Sequence, residues 1–227
     1  WVFKELWSKG LIYQDYKVLP YSWAASTPLS NFEANMDYRD VEDPSIYFTL
    51  DARDNYKKII KGDKFLVWTT TPWCIPGNLA IAVGKEIEYS RISIKNNFYW
   101  IATDRLFEMK DHEIEIVDVS YGKDLIGASY IPAYNEYEHL FKEGAFRIIH
   151  SDDTNTESGS GLVSQAPAYG ESDFYALKNA NIDVIADPVT LSGRFDSTFK
   201  ELNGLNVKDA DKLIMDQLEE RGNLFSR

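Results

Sequence analysis

Three consecutive threonines, Thr69 to Thr71, stand at the end of a β-branched and aromatic run, directly before Pro72. Hydroxyl groups and freed backbone amides at a strand end suit a ribose, a carbonyl oxygen or a positioned water. Pro72 and Pro76 fix φ and remove amide donors, which stiffens the turn that leads to Asn78. The residue types alone also fit a plain strand end followed by a proline-bounded turn, so both interpretations stay open.

Gly159–Phe174 is a second segment whose residue types could do chemistry. An apolar strand in it ends at a turn that contains Pro167 and Gly170, and an acidic helix start follows. Asp173 in the first helical turn could complement the helix dipole, which is the interpretation that the residues alone favour. In the alternative, Asp173 faces a pocket and pairs with the ammonium group of a ligand.

Charge and cysteine content exclude several function classes. With 24 basic and 36 acidic residues the net charge is -12. The chain is therefore expected to bind RNA poorly alone, and another module would have to hold most of any RNA substrate. Cys74 is the single cysteine, which excludes an internal disulfide and fits a reducing cytoplasm. The three histidines are scattered, so neither a metal site nor a cofactor is expected, and no apolar run is long enough to predict a membrane helix.

Short strands must position these segments. β-Branched and aromatic runs predict strands over 45–50, 64–70, 79–83, 89–94, 98–103, 113–119, 145–150 and 161–165. Lys95–Asn97 predicts a tight hairpin between two of them. Helical spacing predicts helices over 3–10, 171–181 and 210–221, whereas 22–35 is predicted to be irregular and 151–160 a mobile loop. Many short strands predict a mainly β fold with peripheral α-helices, namely a closed or partly open β-barrel.

Taken together, the two segments resemble the paired signatures of the editing domain of isoleucyl-tRNA synthetases. In that family the first reads W-T-T-T-P-W-T-L-P-S-N, and the second reads G-T-G-x-V-H-x-A-P-x-x-G-x-x-D-[YF]. Their order and their separation of roughly ninety residues also match. Further blocks at 19–22, 27–33, 38–45 and 207–212 resemble the eukaryotic-type branch, so the resemblance spans nearly the whole chain. Valyl and leucyl editing domains typically have an arginine where this chain has Thr71.

The resemblance implies an activity and a set of site residues. The family removes wrongly attached valine from tRNA(Ile) by hydrolysing its ester bond. By position, Asp173 would hold the substrate's α-ammonium group, and Thr69, Thr70 and Thr71 would place the terminal adenosine, the ester carbonyl and the attacking water. Trp68, Asn78, Ser164 and Tyr169 would line the pocket. The implied partner is the 3′ end of aminoacylated tRNA(Ile), the rest of which other domains would hold.

The main departure from the family pattern lies at Ser164, where the family usually has a histidine that excludes isoleucine from the pocket. Serine is smaller and cannot act as a base near neutral pH without help. Two hypotheses follow: another bulky group fills the space beside Ser164, or the pocket excludes isoleucine less strictly. Cys74 replaces the family's usual threonine and is expected to pack rather than to react.

The resemblance also implies a domain organisation. We expect 1–227 to be one monomeric editing domain in the cytoplasm, with 1–18 and 210–227 as arms that join an aminoacylation core. The His-Ile-Gly-His and Lys-Met-Ser-Lys-Ser signatures of that core do not occur here, so the chain is not expected to activate amino acids. Two alternatives are a catalytically weak or inactive module that binds the tRNA 3′ end, and an acidic β-barrel with an unrelated ligand.

Overall fold

The computed structural model describes residues 1–36, 38 and 40–227, so Arg39 of the 38–45 block lies outside the described residues. Among the described helices, none combines the length and the apolar character that crossing a membrane requires. The α-helices of the described residues are α1 (Val2–Ser8), α2 (Asn31–Ala34), α3 (Gly122–Leu125), α4 (Glu171–Asn179) and α5 (Val207–Glu220). The fold is therefore mainly β with short helices, as the sequence predicts.

Nine strands form one curled sheet. They are β3 (Ile46–Asp51), β4 (Lys64–Thr69), β5 (Ala80–Val83), β6 (Glu88–Ile94), β7 (Asn97–Ala102), β8 (Glu115–Tyr121), β9 (Arg147–His150), β10 (Val163–Gln165) and β11 (Leu224–Ser226). Seven of them follow the order β8-β6-β7-β4-β10-β5-β9, while β3 pairs with β4 and β11 pairs with β3. The path has two ends, β8 and β9, so the sheet is the partly open form of the predicted barrel.

Side-chain alternation along β4 builds two cores. Phe65 and Val67 belong to the larger core inside the curled sheet, whereas Leu66 belongs to a smaller core on the other face. This is the period of two that a strand buried on both faces shows. The hairpin prediction is also confirmed, because β6 and β7 pair directly around Lys95 and Asn96, which have φ of 47° and 66°. Two successive positive φ values match the right-handed twist of the strands.

The segment 22–35 is more ordered than its composition predicts, and the prediction of an irregular loop there is wrong. Two short strands, β1 (Tyr21–Ser22) and β2 (Thr27–Pro28), pair in antiparallel fashion. Helix α2 then begins with a capping box: Ser30 Oγ accepts from Glu33 N at 3.2 Å, and the Glu33 carboxylate accepts from Ser30 N at 2.9 Å. This reciprocal pair satisfies backbone donors at the start of the helix. It therefore stabilises α2 although few apolar side chains are available to pack the helix.

The two terminal segments differ in how they pack. No residue of α1 is buried, whereas Ala210, Ile214 and Leu218 of α5 are fully buried in the larger core. Strand β11 also completes the sheet beside β3. The segment 210–227 is thus part of the folded body of the molecule, and its role as an arm to a further domain stays a prediction.

Candidate active site

The two chemistry-bearing segments meet because β4 and β10 are parallel neighbours. Val163 lies beside Trp68 in register, so the carboxyl ends of both strands reach the same edge of the sheet. One residue further along, Thr69 and Ser164 lie side by side. Since side chains alternate along a strand, both point to the face that carries Val67, inside the curled sheet. We call this place, where β4 and β10 end, the carboxyl edge.

The threonine run presents its hydroxyl groups in two directions. Thr69 is 9% exposed, and its Oγ1 accepts from the backbone N–H of Thr71 at 3.1 Å and lies 3.3 Å from Thr71 Oγ1. Thr70 is exposed and Thr71 is half-buried. Thr69 and Thr71 are therefore brought together, while Thr70 faces solvent at the mouth of the site.

Asp173 lies in the first turn of α4, half-buried at the same edge. Its Oδ2 accepts from the backbone N–H of Ala166 at 2.8 Å, and its Oδ1 has only a long contact, 3.4 Å, with the Ser172 hydroxyl. Burial raises the pKa of this carboxyl above its ordinary value, and the charge of Asp153 adds to the rise. Among the described residues no cation pairs with Asp173. A half-buried carboxylate with one oxygen lightly occupied is suited to bind an ammonium group.

Cys74 shows that the threonine run and Asp173 share one neighbourhood. Both the Thr71 hydroxyl, which lowers it, and the Asp173 charge, which raises it, act on the pKa of the Cys74 thiol. Burial is the largest cause that raises the pKa of Cys74 to about 12. The thiol is thus protonated at neutral pH, and a nucleophilic thiolate is excluded.

Asn78 is buried beneath the site, and both polar atoms of its side chain contact protein groups. Its Nδ2 donates to Ala80 O at 2.8 Å and to Ser164 Oγ at 2.9 Å. Its Oδ1 accepts from the Tyr130 hydroxyl at 2.6 Å. Tyr130 is itself fully buried. Asn78 therefore connects Ser164 to the core of the molecule, while its predicted contact with substrate stays a prediction.

Trp68 and Tyr169 are the two remaining predicted pocket residues. Alternation on β4 turns Trp68 to the opposite face from Thr69, where its indole Nε1 donates to Ser45 Oγ at 2.8 Å. The Tyr169 ring packs against Trp73 with 4.8 Å between centroids. Its hydroxyl is buried without a hydrogen-bond partner among the described residues. The structure thus brings Asp173, Thr69, Thr71 and Ser164 to one edge and leaves Trp68 behind the sheet.

Asp211 of α5 is a supporting residue that sequence reasoning missed. It is 6% exposed, and its Oδ1 accepts from the backbone N–H of Trp73 at 2.8 Å. Burial raises the pKa of the Asp211 carboxyl. The 207–212 block already resembled the family, but a contact between positions 73 and 211 has no signature in a single sequence. Through it, α5 holds the turn that follows the threonine run.

We expect Asp211→Ala to lower the free energy of unfolding by about 1 to 3 kcal/mol, because the buried N–H of Trp73 loses its acceptor. Asp211→Asn is the matched control, since an amide oxygen can accept the same bond without a buried charge. Urea denaturation of the three proteins checks this. Equal stability losses in Asp211→Ala and Asp211→Asn would show that the carboxylate charge, and not the hydrogen bond to Trp73 N, stabilises the turn.

A large cavity adjoins this edge and does not contain the threonine run. It is a cleft of about 1230 Å³, with Arg147, His150, Glu171, Ser172 and Tyr175 among its lining residues. Glu171 and Ser172 flank Asp173, whereas none of the threonines lines the cleft. Among the described residues no three His, Cys, Asp or Glu side chains are grouped so that they could hold a metal ion.

Solved structures with the same fold define the class of domain. The structure described as GlLeuRS-CP1 has a TM-score of 0.60 and 14% identity, covering 81% of this chain and 98% of that one. The editing domain of the P. falciparum cytosolic leucyl-tRNA synthetase has a TM-score of 0.56 and 9% identity, covering 80% of this chain and 98% of that one. The fold is thus that of tRNA synthetase editing domains.

Sequence comparison gives the family. Residues 1–182 match the family described as tRNA synthetases class I (I, L, M and V), so the chain belongs to the class I tRNA synthetase family. It is 42% identical over 239 residues to the isoleucine–tRNA ligase of Bdellovibrio bacteriovorus, covering 100% of this chain and 21% of the ligase. The cytoplasmic isoleucine–tRNA ligase of Saccharomyces cerevisiae is 38% identical, covering 99% and 22%. The chain spans about a fifth of the length of these relatives, and the resemblance stated from its motifs is confirmed.

Proposed function

We propose that this domain performs post-transfer editing, the hydrolysis of the ester bond of valyl-tRNA(Ile). The observation that carries the proposal is the carboxylate of Asp173, which is half-buried and has no paired cation among the described residues. It accepts from Ala166 N just beyond the end of β10, and β10 is the parallel neighbour of the strand that ends at Thr69. An aminoacyl ester carries an ammonium group two bonds from its carbonyl carbon. A single anionic anchor beside hydroxyl groups therefore matches both ends of that substrate.

The reaction needs a positioned water and needs no covalent intermediate. The water oxygen attacks the ester carbonyl carbon, the bond from that carbon to the ribose oxygen breaks, and the water proton passes to the ribose oxygen as it leaves. The products are free valine and tRNA. Asp173 fixes the amino acid end, and the Thr69 and Thr71 hydroxyls orient the carbonyl and the water, so most of the rate gain comes from orientation. The neighbouring ribose hydroxyl can share in the proton transfer.

A second site for valine has a physical reason. One missing methylene contributes little binding free energy, so a site made for isoleucine also admits valine; the isoleucine enzyme is itself the standard example of this limit. A separate hydrolytic site that admits the smaller product raises the overall accuracy. The net charge of -12 implies that other domains hold the body of the tRNA.

Deacylation of valyl-tRNA(Ile) by the full-length ligase that contains this segment tests the proposal. We expect release of valine well above the uncatalysed rate, and the same ligase without the segment should lack it. Release at the uncatalysed rate in both proteins would overturn the proposal.

The second candidate function, a tRNA-binding module without catalysis, is favoured by one observation. Ser164 replaces the family's histidine, and its Oγ is already engaged by Asn78. A non-hydrolysable valyl-adenosine analogue separates the two functions when its affinity is measured by calorimetry beside the deacylation rate. Binding with deacylation supports editing, and binding without deacylation supports the module.

Gly170 offers a steric test of the anchor. A Cβ added at Gly170 would lie 2.7 Å from the Asp173 carboxyl carbon, although its φ of -113° and ψ of 128° suit alanine. We expect Gly170→Ala to displace the carboxylate and to raise KM for valyl-tRNA by about 10-fold, with kcat less changed, because the ammonium contact serves ground and transition states alike. Steady-state kinetics check this, with circular dichroism to verify the fold. An unchanged KM in a folded variant would contradict the anchor.

A further inference from the structure

Three side chains form a hydrogen-bonded line from the core to the carboxyl edge. Tyr130 is 0% exposed and donates its hydroxyl to Asn78 Oδ1 at 2.6 Å. Asn78 is 6% exposed, and its Nδ2 lies 2.9 Å from Ser164 Oγ. Ser164, at the end of the line, is half-buried beside Thr69. The line runs from a fully buried residue to the edge where the substrate would bind.

The orientation of the Asn78 amide is fixed by its other neighbours. The backbone carbonyl of Ala80 lies 2.8 Å from Nδ2 and can only accept. Exchanging the amide oxygen and nitrogen would place two carbonyl oxygens against each other. The Tyr130 hydroxyl can donate or accept and so fits either orientation, which leaves the Ala80 carbonyl to decide between them. The Nδ2 atom therefore has its second hydrogen available for Ser164.

This orientation determines what Ser164 can do. Because Asn78 donates to it, Ser164 Oγ is an acceptor in that bond, and its own proton remains available to another acceptor. Among the described residues, Ser164 Oγ accepts from Asn78 and donates no hydrogen bond of its own. Ser164 lies on the same face as Thr69, which the proposed function assigns to the ester carbonyl and the water.

We propose that the Ser164 hydroxyl donates a hydrogen bond to the ester carbonyl oxygen as that oxygen becomes negative, keeping its proton, and that Tyr130 is a positioning residue acting through Asn78. The inference rests on the proposed editing function and adds two residue roles to it. A fixed donor aimed at the developing charge lowers the barrier without reorganising during the reaction. Tyr130 itself stays in the core, out of reach of substrate.

A double-mutant cycle on the full-length ligase tests the proposal. We expect Ser164→Ala to lower kcat for valyl-tRNA deacylation by about 10- to 100-fold, at or just below the roughly 100- to 1000-fold loss that follows removal of one hydrogen-bond donor to an oxyanion. Tyr130→Phe should lower kcat by about 3- to 10-fold with KM little changed, because the amide loses one of the bonds that orient it. In the Ser164→Ala background Tyr130→Phe should have no further effect on kcat.

Tyr134→Phe is the matched control. Tyr134 is also a buried tyrosine, and its hydroxyl donates to a side-chain amide oxygen, Gln217 Oε1, at 2.7 Å. We expect it to lower stability about as much as Tyr130→Phe and to leave kcat unchanged. Additive effects of Tyr130→Phe and Ser164→Ala, or an unchanged kcat in Tyr130→Phe, would overturn the positioning role while the wild type remains active. An inactive wild type would overturn the proposed function first.

Discussion

Replacing Asp173 with asparagine is expected to lower kcat/KM for valyl-tRNA deacylation by about 30- to 150-fold. The variant keeps an oxygen that can accept from Ala166 N but loses the charge that pairs with the substrate's ammonium group. A hydrogen bond to a charged group contributes about 2 to 3 kcal/mol, which corresponds to that factor. Steady-state deacylation kinetics of the full-length ligase measure it. A wild-type value in the variant would contradict the role of Asp173 as the anchor.

We expect Asp173→Asn to lower the deacylation activity without lowering the stability of the fold. Burial raises the pKa of Asp173 in the folded domain, so ionising this carboxyl costs folded-state stability, and the cost appears as pH rises through the raised pKa. At neutral pH Asp173→Asn is therefore expected to be as stable as wild type or more stable, and the difference should vanish in acid. The same titration predicts that kcat/KM falls as pH drops through the Asp173 pKa in the free protein.

Glu171→Gln is the matched control for the helix-dipole interpretation. Glu171 and Asp173 are the two acidic residues in the first turn of α4, and Glu171 is exposed. If Asp173 served only the dipole, both variants would lose about 0.3 to 1 kcal/mol of stability and keep their activity. The anchor interpretation expects only Asp173→Asn to lose activity.

Replacing Asp63 with alanine is expected to lower the free energy of unfolding by about 3 to 5 kcal/mol, the largest stability effect that the fold predicts. Asp63 and Arg91 form a bidentate pair at 2.7 and 2.8 Å, with side chains 2% and 8% exposed. The carboxylate also accepts from the Trp100 indole at 3.0 Å and from Ile60 N at 3.0 Å. The variant would leave a buried guanidinium without its partner.

Asp118→Ala is the control for Asp63→Ala, because it removes an ion pair of the same nitrogen–oxygen distance that is exposed to solvent. Lys58 and Asp118 also lie 2.7 Å apart, but their side chains are 49% and 39% exposed. Solvent screening leaves such a pair with about 0 to 1 kcal/mol. Urea denaturation of both variants compares them. Similar losses of unfolding free energy in the two variants would contradict the claim that burial makes the Asp63–Arg91 pair important for stability.

The strands and the chemistry were largely predictable from the sequence, whereas the geometry of the site was not. β-Branched runs mark β3, β4 and β6 because those residue types suit a pleated, half-buried surface. The S-x-x-E pattern that begins at Ser30 indicates a capping box, but the Ser, Pro and Asn content of 22–35 favours an irregular loop, and the composition led to the wrong prediction. Alternation along β4 would also have placed Trp68 on the opposite face from Thr69.

Other features depend on pairings between distant parts of the chain. The parallel contact of β4 with β10 joins residues roughly ninety positions apart, and periodicity cannot reveal which strands become neighbours. Tyr130 lies outside every recognised motif, and Asp211 sits in a helix whose acids look like surface residues. Their roles come from single hydrogen bonds to Asn78 and Trp73, which only the folded structure shows.

The most direct test of the central claim is the deacylation rate of valyl-tRNA(Ile) beside that of isoleucyl-tRNA(Ile), measured with the full-length ligase and its Asp173→Asn variant. The account predicts rapid release of valine, slower release of isoleucine, and a strong decrease in both rates in the variant. Equal rates for the two amino acids would indicate that the pocket with Ser164 excludes isoleucine less strictly. Release of neither amino acid by the wild type would contradict the assignment of an editing site.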